Sequence, residues 1–278
     1  MGDGEMEARE AALQAAERYD GFMVPVMFSP LADLSTGQAA LKSGERVLDI
    51  ACGSGVVARR AAQQVGSTGR VAALDLNPAM LEIARRHAPT AGAAVPEWHH
   101  GSAQSLPFPD ASFDVVLCQQ GLQFFPDRAL ALSEMWRVLV PGGRVVVLVN
   151  HEIGRNPLYQ QLSSAALRLI GVDVYAAAFA LGDAEKLRHL LTGANFEAVT
   201  LREAVNAVRF PSARGFVQNI LLGASAAVPA LAALTPAARV DLGHRIEAEM
   251  GEYLSAHTDG QALLDEMVVL IAQGWKPA

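Results

Sequence analysis

Val47-Leu48-Asp49-Ile50-Ala51-Cys52-Gly53-Ser54-Gly55-Val56-Val57-Ala58 opens as a short β-branched, apolar run and closes in small residues. Such a run ahead of glycines predicts a buried parallel strand that ends in a tight turn. Val56 to Val65 then predicts a helix with Val56, Val57, Ala61 and Ala62 on its inner face. Strand, glycine turn and helix form the shape that holds an adenosine-containing cofactor against a helix N-terminus. Gly53 and Gly55 carry no Cβ, so the backbone there can come close to a ligand.

Two cofactors suit this stretch. Gly53-x-Gly55-x-x-Ala58 satisfies the dinucleotide fingerprint, and Asp75, twenty residues past Gly55, stands where a ribose-binding acid belongs. Asp49 discriminates between them. A carboxylate at the strand end repels a pyrophosphate and attracts the ammonium of a methionine tail, directly or through water. S-adenosylmethionine, cationic at sulfur and amine, is therefore favoured over NAD.

The surrounding chain alternates in the same manner. Arg46–Ala51, Arg70–Leu76, Val95–His100, Phe113–Cys118 and Arg144–Asn150 predict five strands. Asn77-Pro78 is a helix start signal, and Pro141-Gly142-Gly143 stops the helix predicted over Ala129–Leu139. Strands and helices in this alternation give βαβ units and a parallel sheet, hence an α/β fold. Ahead of it, Glu5–Tyr19 predicts an amphipathic helix, and Phe22–Phe28, broken by Pro25, a short helix or a loop over the cofactor edge. Beyond Asn150, helices are expected at Asn156–Ile170, Asp183–Leu191, Ser212–Leu222, Pro236–Arg245 and Glu247–Ala256. Strands are expected at Glu197–Phe210 and Met267–Gln273. The expected organisation is one domain over 1–278. It has a helical arm at 1–40, a cofactor-binding core at 41–150 and a substrate-side half at 151–278. In that last half a helical insert at 211–257 lies over the active-site face, and the closing strands form an antiparallel hairpin.

Length and composition agree with one large α/β unit. The 278 residues are 51% hydrophobic and 18% charged, enough for a sizeable core. A formal net charge of −7 argues against nucleic acid and against an anionic membrane surface. Met1–Glu10 lacks the layout of a signal peptide. Ile220–Leu234 is apolar but short and broken by Gly223, Ser225 and Pro229, so no membrane insertion is expected. A cytoplasmic location follows by default. Cys52 and Cys118 make no disulfide framework and are expected to be small reduced fillers.

Four blocks stand in a fixed order: Val47–Ala58, Val71–Leu81, Leu106-Pro107-Phe108-Pro109-Asp110-Ala111-Ser112-Phe113-Asp114-Val115-Val116, and Arg137-Val138-Leu139-Val140-Pro141-Gly142-Gly143. Together they resemble the class I S-adenosylmethionine-dependent methyltransferases, over roughly Glu45 to Asn150. The third and fourth are similar to the branch of ubiquinone and menaquinone biosynthesis methyltransferases and many natural-product enzymes. The resemblance implies a Rossmann-like, seven-stranded, mostly parallel sheet with its last strand antiparallel, and helices on both faces. It implies that Asp49, Ala51, Cys52, Gly53 and Gly55 line the methionine tail and that Asp75 holds the ribose. Leu76 and Met80 surround the adenine, Ser102 and Ala103 meet its amine edge, and Gln119 and Gln120 face the methionyl end. Two positions depart from the family pattern: Ala51 where glycine is usual, and Ser102 where aspartate is usual. Met80 can equally be ordinary core. Tyr19 either closes the methionine end or only packs the arm.

In-line methyl transfer asks the protein to align the nucleophile and exclude water. The apolar helices after Asn150 are expected to supply the dry lid. A hydroxyl acceptor can need a base, and His151, directly after the fifth strand, is the candidate. The seven histidines show no metal-ligand spacing, so no metal is expected. The acceptor is expected to be a small, largely hydrophobic metabolite, with oxygen methylation favoured over carbon or nitrogen and S-adenosylhomocysteine as product. A homodimer is left open. Two rivals stand beside this reading: a cofactor-binding relative that acts through a partner without catalysis, and an NAD-dependent reductase.

Overall fold

The computed structural model describes residues 3–224 and 228–278. Residues 225–227, within the predicted apolar insert, lie outside the described residues. The chain begins with α1 (Asp3–Arg18), a π-helical stretch at Tyr19–Phe28 and α2 (Ser29–Ala39). The alternating core follows: β1 (Arg46–Ile50), α3 (Val56–Val65), β2 (Arg70–Asp75), α4 (Pro78–Arg86), β3 (Glu97–His100), β4 (Phe113–Gln119), α5 (Arg128–Val138) and β5 (Leu139–Asn150). The last half holds α6 (Pro157–Ile170), α7 (Ala184–Gly193), β6 (Glu197–Phe210) and α8 (Ala213–Ala224). It closes with α9 (Pro229–Ala232), α10 (Pro236–Glu249), α11 (Gly251–Ala256), β7 (Thr258–Asp259) and β8 (Ala262–Trp275).

Helix boundaries follow side-chain caps that the sequence carries. The Asn77 side chain accepts from the Ala79 N–H at 3.0 Å, and Asp127 from that of Leu130 at 2.9 Å. Asp183 accepts from Glu185 and Lys186 at the start of α7. α2 was not predicted; Pro30, which reads as a break, stands in its first turn, where its missing N–H costs nothing. β8 outruns the predicted Met267–Gln273 at both ends, and the two-residue β7 folds back on it.

The long strands lie in the order β3-β2-β1-β4-β5-β8-β6. Neighbours from β3 to β5 are parallel, whereas β8 runs antiparallel to both β5 and β6. This is the expected Rossmann-like sheet with its last strand antiparallel. Alternation along the strands divides the core in two. Val47, Val71, Val115 and Leu117 face α2, α3, α6, α8 and α10, and Leu48, Ala72, Val116 and Val145 face α5 and α7. Strand order reverses between β1 and β4, because the chain leaves β1 toward β2 and returns on its other side. Such a reversal opens a crevice at the C-terminal strand ends, where open α/β sheets take their ligands.

Candidate functional site

The crevice floor is the turn after β1. Ala51, Gly53 and Gly55 all have positive φ, at 56°, 55° and 85°. Two main-chain bonds brace the turn: Cys52 N–H to Leu74 O at 3.1 Å and Gly55 N–H to Cys52 O at 2.8 Å. Gly55 is required by its neighbour, since a Cβ there would lie 2.3 Å from the Trp98 ring. Asp75, at the end of β2, accepts from the Gly53 N–H through one carboxylate oxygen and from the Asn77 N–H through the other, both at 2.8 Å. Each oxygen keeps a second lone pair for an incoming hydroxyl. Burial raises the Asp75 pKa against the pull of these N–H groups.

Asp49 sits behind the turn, 1% exposed. Its Oδ2 has no hydrogen-bond partner among the described residues. Burial pushes its carboxyl up to about 8; the Ala58 N–H opposes this and nearby Asp75 adds to it. A buried, half-unpartnered carboxyl beside a glycine turn fits a cationic group, which would restore its charge. Burial likewise raises the thiols, Cys118 to about 12, and both cysteines are free and buried.

Tyr19 covers the turn. A Cβ placed on Gly53 would lie 3.8 Å from the Tyr19 hydroxyl and ring edge. The ring stacks on Phe28 with centroids 5.1 Å apart, and burial first, then Asp75 and Asp20, raises the pKa of its phenol. The arm that carries it is tied to α4 by ion pairs of Arg9 with Glu82 and of Glu17 with Arg86, and Arg86 also pairs with Glu82 one turn back on α4. His87 and Asp20 pair at 2.9 Å just beyond α4. Met80 packs in the small cluster of Ala16, Ala79 and Ile83 between the arm and α4. Leu76, by contrast, is 70% exposed at the crevice edge. The Gly101 N–H bonds the Asp75 carbonyl at 3.1 Å and sets the loops after β2 and β3 side by side. Ala103 is buried, and the Ser102 hydroxyl accepts from the Gln104 N–H at 3.2 Å.

A cavity of about 510 Å³ adjoins the turn. Tyr19, Ala51, Gln119 and Gln120 belong to its wall. So do Met23 and Met27 of the π-helical stretch, Tyr159 of α6, residues 172–179 and Asn219 of α8. The amides at the end of β4 are already engaged. Gln119 accepts from the Ser35 hydroxyl at 2.8 Å and donates to the Phe28 carbonyl at 3.0 Å. Gln120 donates to Asn150 Oδ1 at 2.7 Å and accepts from Gln123 at 2.6 Å, while Asn150 donates to the Ala178 carbonyl at 3.2 Å. This ladder fixes the 172–179 segment over the strand ends.

His151 does not join the cavity wall. Its Nδ1 accepts from the Glu152 N–H at 2.7 Å, and its Nε2 lies 3.5 Å from a carboxylate oxygen of Glu203 on β6. The expected base is thus not among the residues that line the cavity. Asn150, Tyr159, Tyr175 and Asn219 were not predicted. Asn150 left one legible signal, a polar residue closing the apolar run of β5. Among the described residues no group of three or more His, Cys, Asp or Glu could hold a metal, and no helix is long and apolar enough to cross a membrane.

Comparison with known proteins agrees with this geometry. A family model described as a methyltransferase domain matches residues 48–147. A 2-phytyl-1,4-naphtoquinone methyltransferase of Synechococcus elongatus is 41% identical over 130 residues, 46% of this chain and 55% of that protein. The ubiquinone/menaquinone biosynthesis C-methyltransferase UbiE of Ectopseudomonas mendocina is 37% identical over 177 residues, 58% of this chain and 69% of that protein. The first of these matches thus spans little more than half of the relative's length. Among solved structures, the YcgJ protein of Bacillus subtilis shares the fold, with a TM-score of 0.61 at 19% identity over 89% of this chain and 98% of that one.

Proposed function

From the premise that the chain belongs to the class I S-adenosylmethionine-dependent methyltransferases, in the quinone-biosynthesis branch, we propose that it methylates a ring carbon of a small, quinone-type acceptor in its reduced form. The cavity that adjoins the glycine turn is the observation that carries this reading. Its wall holds Ala51 of the turn together with apolar residues of the arm and the last half. Its volume lies in the range of small-molecule sites.

Asp49 would attract the ammonium of S-adenosylmethionine, with Ala51, Cys52, Gly53 and Gly55 along the methionine tail. Asp75 would take the ribose hydroxyls, Leu76, Met80, Ser102 and Ala103 would surround the adenine, and Tyr19 would cover the tail. The bound cofactor supplies a methyl group on a cationic sulfur. The chain's own contribution is to hold the acceptor ring still and keep water out, and such positioning is worth roughly 7–11 kcal/mol. The phenols of Tyr19, Tyr159 and Tyr175 stay protonated because burial disfavours their anions, so they act as donors and not as bases. Carbon replaces oxygen as the favoured acceptor because the E. mendocina relative is named for carbon methylation. In that transfer the bond from sulfur to methyl breaks as the bond from ring carbon to methyl forms, and the ring proton the methyl replaces is released to solvent.

The test is incubation of the chain with S-adenosylmethionine and 1,4-dihydroxynaphthalene under reducing conditions. The expected product is one methyl group heavier, with the methyl on the ring carbon by NMR. An O-methyl product would move the acceptor atom to oxygen. Tight binding of S-adenosylhomocysteine without any methylated product would favour the non-catalytic rival. Binding of NAD in its place would remove the cofactor assignment.

A further inference from the structure

A second cavity, of about 210 Å³, opens between α3, the end of α4 and β3. It shares no wall residue with the cavity beside the glycine turn. Its wall includes Arg59 of α3, Arg85 of α4, His87 and Pro89 of the loop that follows, and Pro96 and Trp98 at β3. Among the described residues it includes no carboxylate. In a chain of net charge −7, this is a pocket of the opposite sign.

Trp98 joins the two guanidinium groups. A Cβ placed on Gly55 would strike the Trp98 ring and lie 3.3 Å from Arg59 Nη1, so Arg59 stands at the ring end. Arg85 Nη2 donates to the Trp98 carbonyl at 3.4 Å, at the backbone end. Arginine carries five N–H donors. Arg59 spends one on the Ser54 carbonyl at 2.5 Å, and among the described residues neither arginine has a further acceptor or a carboxylate at ion-pair distance. Asp20, the acid that acts most strongly on Arg59, is already paired with His87 at 2.9 Å. Arg59 is part-buried but has no sealed, unpartnered nitrogen, and Arg85 is exposed, so the unused donors reach the surface. Burial lowers the Arg59 pKa, the mark of a cation held partly out of water.

A partly desolvated guanidinium with free donors is stabilised by an oxyanion, and such charge-assisted bonds are the strong ones. The prolines and the indole offer the ligand an apolar surface. The volume is below that of drug-sized sites and admits a body of about one ring. We infer that this cavity is a second binding site, for a small aromatic carboxylate whose oxyanion meets Arg59 and Arg85 and whose ring lies against Trp98. It stands apart from the methyl transfer and does not depend on the acceptor class proposed above.

NMR titration of the isotope-labelled full chain with benzoate, benzamide and inorganic phosphate tests it, with and without S-adenosylhomocysteine. Benzoate should bind with a Kd on the order of 1 mM, a reasonable affinity for so small a ligand, and shift the Trp98 indole signal and the backbone signals of residues 90–95. Benzamide, its neutral isostere, and phosphate, which lacks the ring, should each bind roughly tenfold more weakly. Arg85→Gln should weaken benzoate by about the same factor, leave benzamide unchanged and keep the wild-type melting temperature. Benzamide or phosphate binding as tightly as benzoate would overturn the inference in the wild type alone. So would displacement of benzoate by S-adenosylhomocysteine, an unchanged benzoate affinity in Arg85→Gln, or no saturable benzoate binding by about 10 mM.

Discussion

The proposal that Asp49 receives an ammonium carries a pH signature whose size follows from its burial. The carboxyl titrates at about 8 in the folded chain. Only its anion attracts a cation, so binding at lower pH must first remove a proton. The ionised fraction is about one-hundredth at pH 6, about one-tenth at pH 7 and about one-half at pH 8. Affinity for S-adenosylhomocysteine, which keeps the ammonium, should therefore rise roughly fiftyfold from pH 6 to pH 8. At pH 7 about nine-tenths of a proton should leave per ligand bound, visible as a binding heat that depends on the buffer's ionisation enthalpy. Asp75 is raised as well, so its titration can only steepen the rise. At higher pH still, the ligand's own α-amino group loses its charge and affinity should fall again. Asp49→Asn should bind more weakly and lose the Asp49 part of the rise. Flat wild-type affinity between pH 6 and pH 8, with no buffer dependence of the heat, would refute the ammonium assignment.

The same carboxyl sets a stability prediction with a definite sign. Its folded value of about 8 lies above the unfolded value near 3.8, so the folded state binds the extra proton. The stability tied to that proton is complete at low pH and is lost as pH rises from about 4 toward 8, a span on the order of 5 kcal/mol at ~1.36 kcal/mol per pH unit. In urea melts without ligand, Asp49→Asn should gain on the wild type as pH rises from 5 to 8; a constant difference would contradict the buried, protonated carboxyl. Gly121→Ala would place a methyl 2.7 Å from the Ala51 Cβ and 3.0 Å from the Cys118 sulfur, and should cost ~1–3 kcal/mol by overpacking. Adding Ala51→Gly should recover most of that loss, and purely additive effects would show that the two residues do not share the space. His151→Ala should keep wild-type S-adenosylhomocysteine affinity and methyl transfer; a large fall in turnover at unchanged affinity would return His151 to the chemistry.

The cofactor side of the crevice was legible because its residues stand at the ends of consecutive strands. Asp49 and Gly53 of the first turn, Asp75, Ser102 and Gln119 come from four separate strand ends, which the order β3-β2-β1-β4 sets side by side. Gln119 shows the limit of that reading. It stands in the cavity wall, but its amide is taken by Ser35 and the Phe28 carbonyl, and Ser35 belongs to the helix hidden behind Pro30. Met80 shows another. A methionine one turn into α4 can serve adenine or core, and the packing of α1 against α4 puts it beside Ala16 and Ile83. Of the cavity wall, Tyr19, Ala51, Gln119 and Gln120 were legible and the rest was not. That rest is built from a π-helical stretch broken by Pro25, a non-repetitive segment at 172–179, one residue of α6 and several of α8. No periodicity links such pieces, because their proximity is a product of tertiary packing alone.

Ala51 joins the two sides. As a sequence feature it is a tolerated departure from a family glycine; in the fold it stands at φ 56°, where a Cβ costs roughly 1–2 kcal/mol relative to a right-handed conformation. Its methyl belongs to the acceptor cavity and occupies the space that a side chain at residue 121 would need. Gly121 is therefore the complement of Ala51: the methyl on the turn after β1 stands where a side chain on the loop after β4 would otherwise reach. A chain with glycine at 51 has room for a larger residue at 121 and presents a wider wall beside the turn. The pair thus sets how close a ring can approach the glycine turn, and an exchange of Ala51 and Gly121 should change acceptor affinity more than cofactor affinity. Equal losses of both affinities in the Ala51→Gly, Gly121→Ala double variant would assign the pair to the stability of the turn and not to the shape of the acceptor wall.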